Sequence, residues 1–178
     1  MKMSTKELVT IAIGAALIAA LSPLAIPIQL IPITLQTLAV GLVATVFPTK
    51  IAVLSVLIYL LLGGIGLPVF AGGSSGFQVL TGPSAGFLWG FPLYAAITSK
   101  MVNSKSTIAQ IAFANLIGLI FVFLLGAGYF AWFTKKDLLT TLNMTVIPFI
   151  PGEALKIALI SFTAPAIFRS LKQTDWYK

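Results

Sequence analysis

Six apolar runs divide the chain and constrain its fold more than any other feature of the sequence. A helix that crosses a bilayer needs about 20 apolar residues, or about 17 at the lower limit. The runs predict an all-α, polytopic membrane protein with six transmembrane helices in a single domain, residues 1–178. The predicted spans are residues 5–21, 33–47, 50–62, 84–101, 108–133 and 151–171.

Charged residues are too few for a soluble protein. They make up 8% of the chain, whereas about 25% is usual in soluble domains, and so little polar material could not cover a soluble surface. The net charge of +7 would suggest a nucleic-acid partner in a soluble protein. Here the basic residues are scattered between apolar runs, so we expect the lipid bilayer and no nucleic acid as the surroundings.

Several kinds of chemistry are excluded by missing residue types. The chain has no cysteine and no histidine, which rules out disulfides and thiolate ligation and removes the commonest general base and metal ligand. Only one of the four acidic residues, Glu153, lies inside a predicted span. No phosphate-binding G-x-x-x-x-G-K-[ST] string occurs, so the chain has no P-loop of its own. We therefore expect no metal and no cofactor.

The distribution of Lys and Arg predicts the orientation in the membrane. With the N-terminus inside, the outer loops contain only Lys135 and Lys136. The positive-inside rule then predicts that both termini are cytoplasmic. The basic residues on the predicted inner side are Lys2, Lys6, Lys50, Lys100, Lys105, Arg169, Lys172 and Lys178.

Two uncharged, irregular loops fall on the predicted outer face. Residues 63–86 contain eight glycines among 24 residues and no charge, a composition that disfavours a continuous helix. Residues 22–32 are uncharged and rich in proline. Irregular apolar backbone is tolerated at membrane depth only where protein buries it or where it lines a cavity. The two loops therefore predict a capped pocket that opens outward.

Polar residues converge on the same outer half. Glu153 and Lys156 are spaced i,i+3 on one face of the sixth span, and intramembrane ionisable residues usually face the bundle interior. They are either a self-neutralised pair or a polar anchor for a ligand. Thr34, Gln36 and Thr37 open the second span at a similar depth, either as ligand contacts or as hydrogen-bonding residues between helices. This convergence is the predicted site.

Other polar and small residues have two interpretations each. Pocket lining and plain packing between helices are both open for Asn115, Tyr59, Trp89 and Tyr94. The first span contains small residues at four-residue spacing, which lets membrane helices approach closely. This pattern predicts either packing inside the bundle or a docking face for a partner. The small residues are Ala12, Ala16 and Ala20 in one register and Ala15 and Ala19 in the other.

A short string in the glycine-rich loop raises a rival hypothesis. Gly72-Gly73-Ser74-Ser75-Gly76 matches the G-x-S-x-G pattern of serine hydrolases. A serine nucleophile needs an adjacent base, and with no histidine in the chain only a dyad of Ser74 with Lys156 is conceivable. An intramembrane Ser/Lys enzyme is therefore the alternative from a different class.

Four ordered blocks of sequence resemble the BioY family, the biotin-specific S components of energy-coupling factor (ECF) transporters. The resemblance extends over about residues 8–170, with one departure: the last block usually reads Pro-Gly-Asp, whereas this chain has Glu153. The blocks are Pro32-Ile-Thr-Leu-Gln-Thr-Leu-Ala-Val, Gly66-Leu-Pro-Val-Phe-Ala-Gly-Gly, Gly82-Pro-Ser-Ala-Gly-Phe-Leu-Trp-Gly-Phe and Pro151-Gly-Glu-Ala-Leu-Lys.

The resemblance implies a high-affinity biotin-binding subunit in a prokaryotic plasma membrane, not an enzyme. Its implied partners are a transmembrane coupling subunit and two cytoplasmic ATPases, and the alanine stripe of the first helix is the implied docking face. An S component for another vitamin is the nearest alternative.

The same resemblance suggests roles in binding. Biotin has a ureido ring with two N–H donors and one carbonyl, an apolar thiophane ring and a carboxylate tail. We expect Glu153 to accept from the ureido N–H groups and Lys156 to donate to the ureido oxygen or the tail. The remaining expected contacts are hydrogen bonds from Gln36 and the backbone of Gly73 and Ser74, and packing by Phe70, Trp89 and Tyr94.

Overall fold

The computed structural model describes residues 3–27 and 31–171, and most of these residues are helical. The predicted all-α architecture is confirmed. Two 3-10 turns, Ala71–Gly73 and Ile147–Phe149, and two short strands, β1 Ala25–Ile26 and β2 Ile33–Thr34, complete the described structure. The helices are α1 Thr5–Leu21, α2 Gln36–Val46, α3 Thr49–Gly64, α4 Phe77–Thr81, α5 Ala85–Met101, α6 Ile108–Thr134, α7 Leu138–Thr145 and α8 Ile150–Leu171.

The start of the second predicted span is wrong. Residues 33–34 are not helical but form β2, which pairs antiparallel with β1 in the register Ala25↔Thr34 and Ile26↔Ile33. Both residues of β2 are β-branched, a side-chain shape that favours strands. Helix α2 therefore begins only at Gln36.

The predicted outer loops also contain helices that the apolar runs did not reveal. Helix α4 lies within the glycine-rich loop, and α7 lies between α6 and α8. Asp137 caps α7, because its carboxylate accepts a hydrogen bond of 2.9 Å from the backbone N–H of Thr140. Hydrogen bonding from the Thr140 side chain, together with this backbone bond, holds the pKa of the Asp137 carboxyl below its usual value.

Two helical stretches in the described residues are long and apolar enough to cross a membrane: Ile108–Thr134 and the consecutive stretch Leu138–Leu171. Helices α2 and α3 are apolar but shorter. The count of six crossings stays a prediction.

The bundle places α2 between α5 and α8, while α3 packs against α1 and α5. Small residues allow the close contacts, since Gly90 of α5 lies against the backbone of Val122 in α6 and Gly118 of α6 lies against the Tyr94 ring. Alternating chain direction brings the N-terminal ends of α2, α5 and α8 to the same end of the bundle as the C-terminal end of α3. The site described below lies at this end.

Residues 65–84, here called the glycine-rich segment, fold back over the C-terminal end of α3. Gly76 has a φ of 94°, which an L side chain rarely adopts, and its N–H donates to the carbonyl of Gly63 at 2.7 Å. The Phe70 side chain is buried and packs directly on Gly63, where a Cβ atom would overlap the ring. Gly63 therefore fixes the position of Phe70.

Replacing Gly63 by alanine tests this contact. We expect Gly63→Ala to destabilise the protein by about 1–3 kcal/mol, because the Phe70 ring has to leave its position. Thermal unfolding of the purified protein in detergent measures the effect. Gly128→Ala in α6 is the matched control, since no atom lies within 4 Å of its Cβ position. Equal melting temperatures for the two variants would contradict the packing described.

Candidate ligand-binding site

A cleft of about 320 Å³ opens between the glycine-rich segment, the strand ribbon and the start of α5. Its volume falls within the range of about 300–1,000 Å³ that is typical of small-molecule sites. We call it the upper cleft. Its walls include Ile31, Pro32 and Thr34 near the ribbon, Phe70, Ala71, Ser74, Gln78 and Val79 from the segment, and Phe87 and Leu88 from α5.

A lower chamber of about 50 Å³ adjoins the upper cleft and extends into the bundle. The two spaces share lining residues, among them Gln36 and Phe87. Thr37 and Glu153 line only the lower chamber, Thr34 and Gln36 line both spaces, and the remaining walls of the chamber are aromatic or aliphatic. A largely apolar passage therefore leads from the glycine-rich segment to a carboxylate.

The Glu153 carboxylate belongs to a closed hydrogen-bonded triad. Its Oε1 accepts from Thr37 Oγ1 at 2.8 Å and from Lys156 Nζ at 2.7 Å. Lys156 Nζ also donates to Thr37 Oγ1 at 2.9 Å. Glu153 is 6% exposed and Lys156 7%, so this ion pair of α8 is buried, and Thr37 connects it to α2 inside the bundle.

The triad leaves one carboxylate oxygen free. Both hydrogen bonds go to Oε1, and no hydrogen bond among the described residues uses Oε2. Because Glu153 lines the lower chamber, Oε2 is the acceptor that this chamber offers to a ligand N–H group. The arrangement thus combines a self-neutralised pair with an open hydrogen-bonding position.

Lys156 lies behind the carboxylate instead of in the cavity. It lines neither the upper cleft nor the lower chamber, so it does not meet the geometry expected for direct donation to a ligand. Its ammonium acts on Glu153, because a buried carboxylate without a partner would be costly to keep ionised.

A second polar group lies beside the first, at the boundary of the two spaces. Gln36 Nε2 donates to the Tyr59 hydroxyl at 2.6 Å, and Thr34 Oγ1 donates to Gln36 Oε1 at 3.3 Å. The Tyr59 ring contacts Phe70 edge to face, with ring centroids 5.6 Å apart. This group connects α2, α3 and the glycine-rich segment.

The backbone N–H groups of Gly73 and Ser74 were expected to donate to a ligand, but in the structure both donate to carbonyls of their own turn. Ser74 lines the upper cleft but Gly73 does not. The backbone N–H of Gly73 donates to Phe70 at 3.0 Å and that of Ser74 to Ala71 at 3.2 Å. The Ser74 hydroxyl also donates to the Ala71 carbonyl, at 2.8 Å. The turn itself therefore uses these donors.

Trp89 lines neither space. Its side chain is half exposed, and its indole Nε1 donates to the Leu80 carbonyl at 3.0 Å on the other side of α4. Leu88 lines the cleft, and a step of one residue turns about 100° around a helix. The sequence could not show which residue of this aromatic run faces the cleft.

Tyr94 and Asn115 are also separate from the cleft. The Tyr94 hydroxyl donates to Asn115 Oδ1 at 2.8 Å, and Asn115 Nδ2 donates to Thr45 Oγ1 at 3.0 Å. Both side chains are buried. They join α2, α5 and α6, which is the packing interpretation of these residues.

Three wall residues of the site were absent from the predicted set: Phe87, Phe91 and Phe149. The i,i+4 spacing of Phe87 and Phe91 in α5 could have indicated a shared face, whereas no sequence signal distinguishes Phe149 from other aromatic residues. Of the polar candidates from the sequence, Thr37 completes the triad and Tyr59 positions Gln36.

The two alanine registers of α1 face different ways. Ala12, Ala16 and Ala20 are exposed, whereas Ala15 is buried and Ala19 packs against the core. The first register therefore forms an outward face of small residues and the second belongs to intramolecular packing.

A helical bundle with one polar-floored cleft under an irregular segment defines a small-molecule-binding membrane protein. The fold is similar to a crystal structure of the S component for biotin from an ECF-type ABC transporter, with a TM-score of 0.86, 27% identity and coverage of 94% of this chain and 95% of that one.

Sequence comparisons agree with the fold. The family model for the BioY family matches residues 1–173, and the chain belongs to this family. It is 43% identical to the biotin transporter BioY2 of Lactococcus lactis over 96% of this chain and 94% of that protein. Identity to the probable biotin transporter BioY of Bacillus subtilis is 38%, over 95% and 94% of the two chains.

The buried triad makes a testable energetic prediction. Glu153→Gln or Lys156→Met alone should cost about 3–5 kcal/mol of unfolding free energy, because each leaves one buried charge without its partner. The double variant should lose less than either single variant, since neither charge remains. Equilibrium unfolding in mixed micelles measures all three.

The exposed ion pair between Lys50 and Glu7, at 2.9 Å, is the matched control. Its equivalent single substitutions should each cost less than about 1 kcal/mol. A double Glu153/Lys156 variant that is less stable than both single variants would contradict the account of the buried pair.

Proposed function

We propose that this chain is the high-affinity biotin-binding S component of an ECF-type ABC transporter. The observation that carries the proposal is the open Oε2 of Glu153 at the floor of an aromatic-walled cleft. The names of the relatives and of the similar crystal structure support biotin as the substrate.

The chemistry of biotin matches this cleft group by group. A ureido N–H donates to Glu153 Oε2 in the lower chamber, and Gln36 offers a side-chain amide at the chamber's upper boundary. The apolar bicycle packs between Phe70 and Phe87. The carboxylate tail points toward the upper cleft, because a second carboxylate beside Glu153 would be repelled. Lys156 acts through Glu153, whose carboxylate it orients.

Removing the carboxylate should weaken binding strongly. We expect Glu153→Ala to lower biotin affinity at least tenfold, since a hydrogen bond to a charged group contributes about 1.5–3 kcal/mol and about 1.4 kcal/mol corresponds to a factor of ten. Titration calorimetry on the purified variant measures this. Glu7→Ala removes one exposed carboxylate elsewhere and is the control.

Unchanged affinity in Glu153→Ala would remove Glu153 from the site. Displacement of bound biotin by an excess of another vitamin would instead favour an S component of different specificity. The two outcomes separate the position of the site from the identity of its ligand.

Transport requires partners, because the sequence contains no P-loop to bind ATP. We assign the energy supply to two cytoplasmic ATPases and the mechanical connection to a transmembrane coupling subunit.

The protein lies in a prokaryotic plasma membrane with both termini cytoplasmic, as the Lys and Arg bias favours. The glycine-rich segment then closes the cleft on the outer side.

The exposed alanine register is the proposed docking face for the coupling subunit. Ala16→Trp should abolish co-purification with that subunit while leaving biotin affinity unchanged, because the bulky ring separates the two helices without touching the cleft. Leu124→Trp, at an exposed position of α6, is the control. Retained co-purification of Ala16→Trp would rule out this face. Ala19 is unsuitable for the test, since it packs against the core.

The rival Ser/Lys chemistry is not favoured by the hydrogen bonding. Ser74 donates to Ala71, and Lys156 donates to Thr37 and Glu153. No hydrogen bond joins Ser74 to Lys156 within the described residues. A covalent serine probe that labelled Ser74 would revive the enzyme hypothesis.

A further inference from the structure

Helix α4 forms part of the wall of the upper cleft. Gln78 and Val79 line the cleft, and so do Gly82, Pro83 and Ser84, which follow the helix. A ligand that enters or leaves past this wall requires the second half of the glycine-rich segment to move. What holds α4 in place therefore bears on the rate of ligand exchange.

The C-terminal end of α4 is held by two aromatic side chains. The last carbonyls of a helix have no partner within the helix. Trp89 Nε1 of α5 donates to the carbonyl of Leu80, at 3.0 Å. Tyr129 of α6 donates from its hydroxyl to the carbonyl of Thr81, also at 3.0 Å. Both carbonyls lie at the end of the helix whose preceding residues line the cleft.

These two contacts differ from the other hydrogen bonds of the glycine-rich segment. Among residues 3–27 and 31–171, no other side chain outside the segment donates to it. Its other hydrogen bonds lie within the segment or join it to the adjoining ends of α3 and α5. Examples are the bond from the Gly76 N–H to the Gly63 carbonyl and the bonds within the turn at Phe70–Ser74. Phe70, buried on Gly63, holds the first half by packing. The second half is held by the buried Leu80 side chain, which packs against Gly64 and the core, and by the hydrogen bonds from Trp89 and Tyr129.

We propose that Trp89 and Tyr129 form a latch that sets the rate at which the cleft opens. Neither residue lines the upper cleft or the lower chamber, so neither contacts a ligand there. They act as positioning residues for α4, and opening the wall breaks both hydrogen bonds. The consequence for ligand residence time rests on the proposed function, whereas the latch itself does not.

Two variants that keep an aromatic ring test the latch. Tyr129→Phe removes only the hydroxyl, and Trp89→Phe removes the indole N–H. Each should speed the dissociation of labelled biotin from the purified protein in nanodiscs about two- to tenfold, the range that the loss of one hydrogen bond gives. Affinity should change less than the dissociation rate, because entry passes the same wall.

Hydrogen exchange of the full chain provides a readout without ligand. Peptides covering residues 77–84 should exchange faster in both variants, while peptides from the middle of α6 should not change. A general loss of stability would accelerate both regions. Trp132→Phe is the control, since this exposed ring lies near Tyr129 and makes no hydrogen bond to the glycine-rich segment among the described residues.

The outcomes separate the latch from the proposed function. Wild-type exchange in residues 77–84 of both variants would overturn the latch. Faster exchange with an unchanged dissociation rate would overturn its control of ligand release. Faster exchange in a protein that binds no biotin would support the latch and contradict the proposed function.

Discussion

The buried ion pair between Glu153 and Lys156 is the interaction on which the site depends. A lone carboxylate in an apolar bundle would be too costly to remain ionised. Lys156 and Thr37 reduce that cost, since each donates one hydrogen bond to the same oxygen, Oε1. The second oxygen can then face the lower chamber. Because Thr37 belongs to α2 and the charged pair to α8, the same contacts fix the relative position of the two helices.

The rest of the cleft follows from the ends of the helices. At this end of the bundle the chain has to leave and re-enter helices, and irregular backbone is tolerated near lipid only where its polar groups are satisfied. The glycine-rich segment meets this requirement through its own turns and through donors from Trp89 and Tyr129. Phe70, held by Gly63, supplies apolar wall to the same segment. One stretch of chain thus closes the bundle and shapes the cavity.

Much of this arrangement is predictable from the sequence, and the failures have physical causes. Apolar length located the long helices, and the rarity of intramembrane charge singled out Glu153 and Lys156. The face that α5 turns toward the cleft was harder to predict, because the cleft end of this helix is apolar on all sides. Nothing in its composition places Leu88 at the cleft and Trp89 outside it. The placement of Lys156 also stayed open between a pair with Glu153 and a ligand anchor, since spacing shows that two side chains share a face but not which of them reaches the cavity.

A structure of the protein with bound biotin tests the central claim most directly. The account predicts a ureido nitrogen about 2.7–3.2 Å from Glu153 Oε2, within hydrogen-bond distance, with Lys156 still on Oε1. Biotin bound elsewhere, or a lower chamber filled by side chains with the ion pair separated, would contradict it.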